Sequence, residues 1–139
     1  MTLVDSNIFM YAAGHAHPLK HRAGTFLEKV AAGTVRAAID AEVLQEILHR
    51  YRALRRWNEG RVVYDTARVL FPEVLAVTGE VMDGARRLMD EEPGLMARDA
   101  LHAAVVAVYG LTSITSFDQD FDRVEGLRRV KPSAPGTGS

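Results

Sequence analysis

The sequence predicts an α/β protein in which helices cover both faces of a central, mostly parallel sheet of four to five short strands. Short apolar segments typical of buried strands alternate with longer segments of helical periodicity along the whole chain. At 139 residues, 47% of them hydrophobic and 25% charged, the chain has the size and composition of one globular domain. We find no internal repeat and no interdomain linker.

Turn residues and helix caps delimit the elements of the first half. Gly14 closes a short apolar helix, Pro18 suits the first turn of the next one, and Gly33 ends it. Asp40 is a favoured N-cap for the third helix, which carries a clear apolar stripe. The elements expected here are a strand ending at residue 4, helices 8–13 and 19–32, a strand 35–39, and helices 41–55 and 61–70, with residues 57–60 as a connection.

The second half follows the same alternation. Pro72 breaks the fourth helix and Thr78 can cap the fifth, while the sixth helix is apolar on nearly all sides and therefore belongs in the interior. The elements expected here are a strand 74–77, helices 80–90 and 98–108, a strand 113–115 and an edge strand 128–130. We expect the domain to span residues 1–131 and the Pro/Gly/Ser-rich tail, residues 132–139, to be disordered.

Composition excludes several classes of protein. The chain has no cysteine, which removes disulfides, thiolate metal sites and a cysteine nucleophile. No apolar run is long enough to span a bilayer, and we see no signal peptide, so we expect a cytoplasmic protein with no membrane partner. A net charge of −1 argues against a broadly basic protein that coats nucleic acid. It does not exclude a nuclease, because an acidic metal site offsets basic residues elsewhere.

Four acidic residues occupy places from which their side chains could converge. Asp5 follows the first strand and Asp118 follows the strand 113–115, and in open α/β sheets such strand ends border the ligand crevice. Asp99 opens the buried sixth helix, and Glu46 flanks the apolar stripe of the third. Glu42 points nearly opposite that stripe on our helical-angle argument, so we leave it out.

Each of these acids also has an ordinary structural explanation. Asp5 could cap the helix that follows it, and Asp99 would complement the dipole of its own helix. A glutamate beside an apolar stripe, such as Glu46, is commonly a surface residue. Asp118 and Asp120 lie in a segment that could be a simple turn. If the acids do converge, the chemistry that fits is metal-assisted phosphodiester hydrolysis, because Mg²⁺ and Mn²⁺ prefer oxygen ligands.

Histidines and basic residues offer further candidates. His15, His17 and His21 are closely spaced but have no zinc-like pattern of partners, so we interpret them as structural or surface residues. His102 lies three residues after Asp99, and we expect a hydrogen-bonded interior histidine there. Two basic segments, residues 50–56 and 128–131, are either solvated faces or a phosphate-binding rim with Tyr51 and Trp57 available for stacking.

With these residues identified, the sequence resembles the PIN-domain proteins, and most closely the VapC-like toxins of bacterial toxin–antitoxin modules. The resemblance covers about residues 2–130. It rests on four motifs in the family's order: Val4-Asp5-Ser6-Asn7, Val43-Leu44-Gln45-Glu46-Ile47-Leu48, Arg98-Asp99-Ala100-Leu101-His102-Ala103-Ala104 and Thr115-Ser116-Phe117-Asp118-Gln119-Asp120-Phe121. In the last motif the spacing departs from the commonest form, so Asp118 and Asp120 compete for one role, and we favour Asp118.

The resemblance implies a three-layer α/β/α fold and an Mg²⁺-dependent (or Mn²⁺-dependent) endoribonuclease that acts as a toxin. It implies an RNA substrate, a homodimer and a cognate antitoxin protein. The residues it assigns to catalysis and to the metal are Asp5, Glu46, Asp99 and Asp118, with Ser6, Thr115 and Asp120 in supporting positions. A housekeeping or DNA-directed nuclease of the same type, or a catalytically inactive PIN-like binding module, are the alternatives.

Overall fold

The structure, a computed structural model, describes residues 1–133. Five parallel strands form one sheet in the order β3-β2-β1-β4-β5. The strands are β1 (Thr2–Val4), β2 (Ala37–Asp40), β3 (Val74–Leu75), β4 (Ser113–Thr115) and β5 (Arg129–Val130). The helices are α1 (Ser6–Ala13), α2 (Pro18–Ala31), α3 (Ala41–Ala53), α4 (Trp57–Leu70), α5 (Gly79–Glu91) and α6 (Ala97–Val108), and a short 3₁₀ helix spans Gln119–Arg123.

The central strand β1 divides the hydrophobic core into two layers. Because successive side chains of a strand point to opposite faces, Leu3 packs with the residues of α5 and α6, whereas Val4 packs with those of α1 to α4. The register pairs Leu3 with Ala38 of β2 and Val4 with Thr115 of β4. The expected three-layer α/β/α fold with a parallel sheet is therefore confirmed.

Helix α6 is enclosed as its apolar sequence indicates. Eight of its residues, from Asp99 to Val106, are buried against the sheet and α5. The enclosure has a consequence for function, because it draws Asp99 and His102 inside the protein together with their apolar neighbours. Thr78 caps α5 as expected, since its hydroxyl accepts a hydrogen bond from the amide of Val81 at 3.2 Å.

The interpretation of residues 57–60 as a connection was wrong, because α4 already begins at Trp57. The reason lies in the packing of α3 against α4. A Cβ atom at Gly60 would lie 2.4 Å from the Cβ of Tyr51, so only glycine permits this close approach of the two helices. The turn between them is correspondingly short, and Arg55 adopts a positive φ of 57° within it.

The expected domain boundaries are not tested by the structure. Strand β5 ends at Val130, and the proposed boundary after residue 131 remains a prediction. Most of the tail that we expected to be disordered, residues 134–139, lies outside the described residues. Within residues 1–133, no helix is both long enough and apolar enough to cross a membrane.

Candidate active site

The parallel sheet brings polar residues from three strand ends to one edge. Asp5 directly follows β1, Asp40 is the last residue of β2, and Ser116 directly follows β4. A cleft of about 680 Å³ opens at this edge. The four acids selected from the sequence all line it: Asp5, Glu46, Asp99 and Asp118.

Asp5 both caps a helix and faces the cleft. Its Oδ1 accepts a hydrogen bond from the amide of Ser6 at 2.8 Å, so the capping role and the site role coexist in one residue. Its Oδ2 accepts a hydrogen bond from the hydroxyl of Ser116 at 2.7 Å. Only 6% of Asp5 is exposed, and these two bonds fix the orientation of its carboxylate.

Glu46, on α3, is also held in place by hydrogen bonds. It is 6% exposed, and its Oε2 accepts a short hydrogen bond from the hydroxyl of Ser6. Its Oε1 lies 2.8 Å from Nε2 of His102 and 3.7 Å from Nε of Arg98. The other ring nitrogen of His102, Nδ1, lies 2.7 Å from Oδ2 of Asp40. The imidazole therefore bridges two carboxylates.

Asp99 and Asp118 form a second, more open acidic pair. Asp99 is 4% exposed, and among residues 1–133 no side chain donates a hydrogen bond to its carboxylate. Asp118 is half-buried and accepts a hydrogen bond from the amide of Asp120 at 2.9 Å. One oxygen from each of Asp99, Asp118 and Asp120 lies within 4.8 Å of the others. Asp120 is exposed and lies 3.6 Å from Arg123.

The crowding of carboxylates is visible in their acidities. Burial, Asp118 and Asp5 together raise the pKa of Asp99 to about 6. Burial, helped by the charge of Glu46, raises the pKa of Asp5 above its ordinary value, against the opposing effects of His102 and Ser116. Burial alone would lower the pKa of His102, but the bonds to its two carboxylate partners raise it well above 6.5. The site thus holds more negative charge than its own cations neutralise.

The supporting hydroxyls are only partly those expected from the sequence. Ser6 donates to Glu46, which fits the supporting position expected of it, whereas the hydroxyl of Thr115 lies 2.9 Å from the hydroxyl of Thr2. The hydroxyl that reaches Asp5 belongs to Ser116. This serine also accepts hydrogen bonds from the side-chain amide of Asn7 at 3.1 Å and from the backbone of Asp118 at 3.0 Å.

The exclusion of Glu42 was wrong, and the stacking alternative for Tyr51 is not supported. Glu42 lines the cleft beside Glu46, because residues four apart on a helix differ by only about 40° in direction. Burial and the charge of Glu46 raise the pKa of Glu42. Tyr51 is 5% exposed and cannot stack with a base, whereas Trp57 is half-buried beneath the guanidinium of Arg52, 4.4 Å from its ring centre.

The basic segments divide in the same way. Arg129 of the second segment is occupied by Asp122, with bonds of 2.9 and 3.1 Å to the two carboxylate oxygens, so the bond to Arg129 lowers the pKa of Asp122. In the first segment, Arg50 and Arg56 line the cleft together with His15. Arg56 is itself paired with Glu59, with its Nε 3.1 Å from Oε1 of the glutamate, so Arg50 rather than Arg56 is the arginine that this segment offers to the cleft.

Asp40 is a site residue that sequence reasoning missed. Asp40 was recognised only as a helix cap, which it is, since its Oδ1 accepts a hydrogen bond from the amide of Val43 at 3.0 Å. Its complete burial was the available signal, because an aspartate that closes a central strand needs a cationic or hydrogen-bonding partner.

The sheet order and the acidic cleft together define a PIN domain. The model of the PIN domain family matches residues 2–127, and the chain belongs to that family. Among curated relatives, the chain is 42% identical over 130 residues to VapC ribonuclease Mb1869c of Mycobacterium bovis. The aligned residues cover 94% of this chain and 99% of the relative. The same values hold for Ribonuclease VapC13 of Mycobacterium tuberculosis. Ribonuclease VapC23 of Mycobacterium tuberculosis is 38% identical over 118 residues, which cover 85% of this chain and 93% of the relative.

Solved structures show the same fold. The VapBC2 structure of Rickettsia felis, bound to a DNA fragment from its promoter, matches with a TM-score of 0.75 and 18% identity, over 94% of this chain and 97% of the other. FitAcB of Neisseria gonorrhoeae matches with a TM-score of 0.72 and 16% identity, over 95% and 98%. At these identities the likeness concerns the fold alone.

Proposed function

We propose that this protein is a metal-dependent endoribonuclease and the toxin of a toxin–antitoxin pair. The observation that carries the proposal is the convergence of Asp5, Glu46, Asp99 and Asp118 on one cleft in a chain that is 42% identical to named VapC ribonucleases. The four acids come from four separate segments of the chain, and only the fold brings them together.

The donor set fits a hard divalent cation. All four groups are carboxylates, the ligand type that Mg²⁺ and Mn²⁺ prefer. Asp99 has a raised pKa and receives no hydrogen bond from a described side chain, so a cation would relieve its repulsion with Asp118 and Asp5. We propose Mg²⁺, with Mn²⁺ as a substitute, held by the four acids directly or through water, with Asp120 at the rim.

The metal ion and the residues of the cleft would have separate roles. A bound divalent ion supplies polarisation of the phosphate and a lowered pKa for the attacking water. Ser6 and Ser116 hold Glu46 and Asp5 in fixed orientations, so the acids need little rearrangement. Arg50, which lines the cleft, would bind a phosphate that flanks the cleaved bond.

The test is cleavage of labelled RNA by the purified protein in Mg²⁺, Mn²⁺ or EDTA, with single-stranded DNA of the same sequence alongside. We expect cleavage of RNA that EDTA abolishes. In Asp5→Asn we expect the rate of RNA cleavage to fall roughly tenfold to hundredfold, since removal of metal-binding or supporting groups has effects of this order. Asp83→Asn, an exposed aspartate of α5, is the matched control and should cleave normally.

The alternatives predict different results in the same assay. A DNA-directed nuclease would cut the DNA in preference to the RNA, and an inactive binding module would cut neither in any metal. Cleavage that persists in EDTA would refute the metal-dependent proposal outright.

We also propose a cognate antitoxin and a homodimer as partners. The solved neighbours include a toxin–antitoxin complex from Klebsiella pneumoniae, with a TM-score of 0.67. Support for a dimer comes from exposed apolar side chains, such as Val62 and Val69, which lie seven residues apart on one face of α4 and are 64% and 81% exposed. Coexpression with a small neighbouring gene product and light scattering of the purified protein test the two partners separately.

A further inference from the structure

His102 lies behind the acids of the cleft, and the proposed function gives it no task. It is fully buried, and both of its ring nitrogens lie within hydrogen-bond distance of carboxylate oxygens, at 2.7 Å from Asp40 and 2.8 Å from Glu46. An ionised carboxylate can only accept hydrogen bonds, so a ring nitrogen that faces one donates to it. Its Nε2 also lies 3.9 Å from Oδ1 of Asp5.

We propose that His102, held by Asp40, is a positioning residue that fixes Glu46 and occupies the inner space between Glu46 and Asp5. With that space filled, a cation would be held on the side of the cleft that Asp99 and Asp118 line. Asp5 and Glu46 then form a fixed inner side of the cleft, and the cation and the substrate would bind on its outer side.

The arrangement of the bonds supports a positioning role. Asp40 uses one oxygen to cap α3 and the other to orient the imidazole, so the ring is tied to the start of the helix that carries Glu46. The second oxygen of Glu46 is tied to Ser6 of α1. Each carboxylate oxygen of Glu46 therefore has a fixed donor on a different element, and α1, α3 and α6 are locked together at the site.

A competing role is equally specific. Metal-binding histidines commonly donate one ring N–H to a carboxylate and use the other nitrogen as the ligand. Nε2 of His102, with Asp5 and Glu46, offers one ligand atom each within 4.8 Å of one another. In that role Nε2 must carry no proton when the metal is bound, whereas a positioning His102 keeps both protons.

The decisive measurement is a histidine side-chain ¹H–¹⁵N NMR spectrum of the full chain, recorded without metal and with saturating Mg²⁺. The chain has five histidines, and His102 is identified as the signal missing from His102→Gln. We expect both N–H protons of His102 in the free protein and both still present with Mg²⁺. Loss of the Nε2 proton on addition of Mg²⁺ would overturn the proposal and make His102 a ligand.

Variants test whether the bonds matter beyond folding. In His102→Gln, which cannot serve both carboxylates, we expect Mn²⁺ affinity by calorimetry and kcat for RNA to fall about tenfold to hundredfold, with KM within about twofold. His21→Gln makes the same change at an exposed histidine of α2 and should match the parent protein. Unchanged Mn²⁺ affinity and unchanged kcat in His102→Gln would refute the positioning role.

Asp40→Asn gives a second variant should His102→Gln fail to fold. Asparagine is also a favoured N-cap, so α3 keeps its cap while the amide nitrogen faces Nδ1 of His102. We expect the Nδ1 proton to disappear while the Nε2 proton toward Glu46 remains, and kcat to stay above that of any folded His102 variant. Loss of both signals would contradict the proposed bond arrangement. Only the measurements of kcat rest on the proposed function. If the protein cleaves no RNA, the proposed function is refuted, while the NMR spectra and the Mn²⁺ affinities still decide the role of His102.

Discussion

The substitution Asp99→Asn should stabilise the metal-free protein above neutral pH. In the folded protein the pKa of Asp99 is raised from 3.8 to about 6, a difference of about 2 pH units or roughly 3 kcal/mol between the protonation states. Part of this penalty is screened because the cleft is open to solvent. Part is offset because Asp99 lies in the first turn of α6, where a negative charge gains about 0.3–1 kcal/mol from the helix dipole.

The net expectation is that the neutral asparagine raises the free energy of unfolding by about 1–2 kcal/mol at pH 7.5 in EDTA, which for a chain of this size corresponds to roughly 4–8 °C in Tm. The pH dependence has a definite sign. Since the folded-state pKa of Asp99 is raised, the stability linked to its protonation is fully present below about pH 4 and is lost as the pH rises through about 6.

Thermal unfolding of the parent protein, Asp99→Asn and the control Asp83→Asn, followed from pH 4 to pH 8 in EDTA, measures this directly. The advantage of Asp99→Asn should vanish toward pH 4, and Mg²⁺ should stabilise the parent protein at pH 7.5 but the variant much less. A variant that is less stable than the parent at pH 7.5 in EDTA, or an advantage independent of pH, would refute the reasoning.

Two further substitutions test the packing and the bracing of the site. Gly60→Ala should lower the free energy of unfolding by about 1–3 kcal/mol in urea titrations, because its Cβ would lie 2.4 Å from Tyr51. The control Gly24→Ala in α2, whose Cβ would meet no atom within 4 Å, should leave the free energy of unfolding unchanged or raise it by about 0.5–1 kcal/mol. Equal effects of the two substitutions would contradict the packing argument. Ser116→Ala should cost about 1–3 kcal/mol and reduce RNA cleavage, because it removes the donor to Asp5 and the acceptor for Asn7. The control Ser113→Ala removes a buried hydroxyl of β4 that donates to Thr2, so it should lower the stability but leave kcat unchanged. Similar losses of kcat in both serine variants would count against a specific role for Ser116.

The fold and the places of three of the four candidate acids could be predicted from local signals, whereas Glu46 was selected through the other acids and the resemblance to the PIN-domain family. Strand ends mark Asp5 and Asp118, and the uniformly apolar α6 draws Asp99 inward. Sequence position alone, however, does not reveal which side chains meet across the sheet. The bond between Asp40 and His102 joins residues 62 positions apart, and Ser116 reaches Asp5 across 111 positions.

The errors have separate physical causes. Glu42 was excluded by measuring its direction against the apolar stripe instead of against Glu46, its neighbour one turn away. Trp57 was assigned to a connection, whereas α4 begins at this residue and Gly60, inside α4, permits the close contact of α3 and α4. Tyr51 was considered for stacking because its position on the apolar stripe was given less weight than its basic neighbours.

The central claim is that Asp5, Glu46, Asp99 and Asp118 together hold one divalent cation site that cleaves RNA. A crystal of the protein grown in Mn²⁺ tests it most directly, because the anomalous signal of manganese locates the ion without reference to any assumed ligand. We predict a peak in the cleft bound to oxygens of Asp5, Asp99 and Asp118, with Glu46 bound directly or through one water. A peak away from these acids, or a cleft without manganese at saturating concentration, would contradict the account.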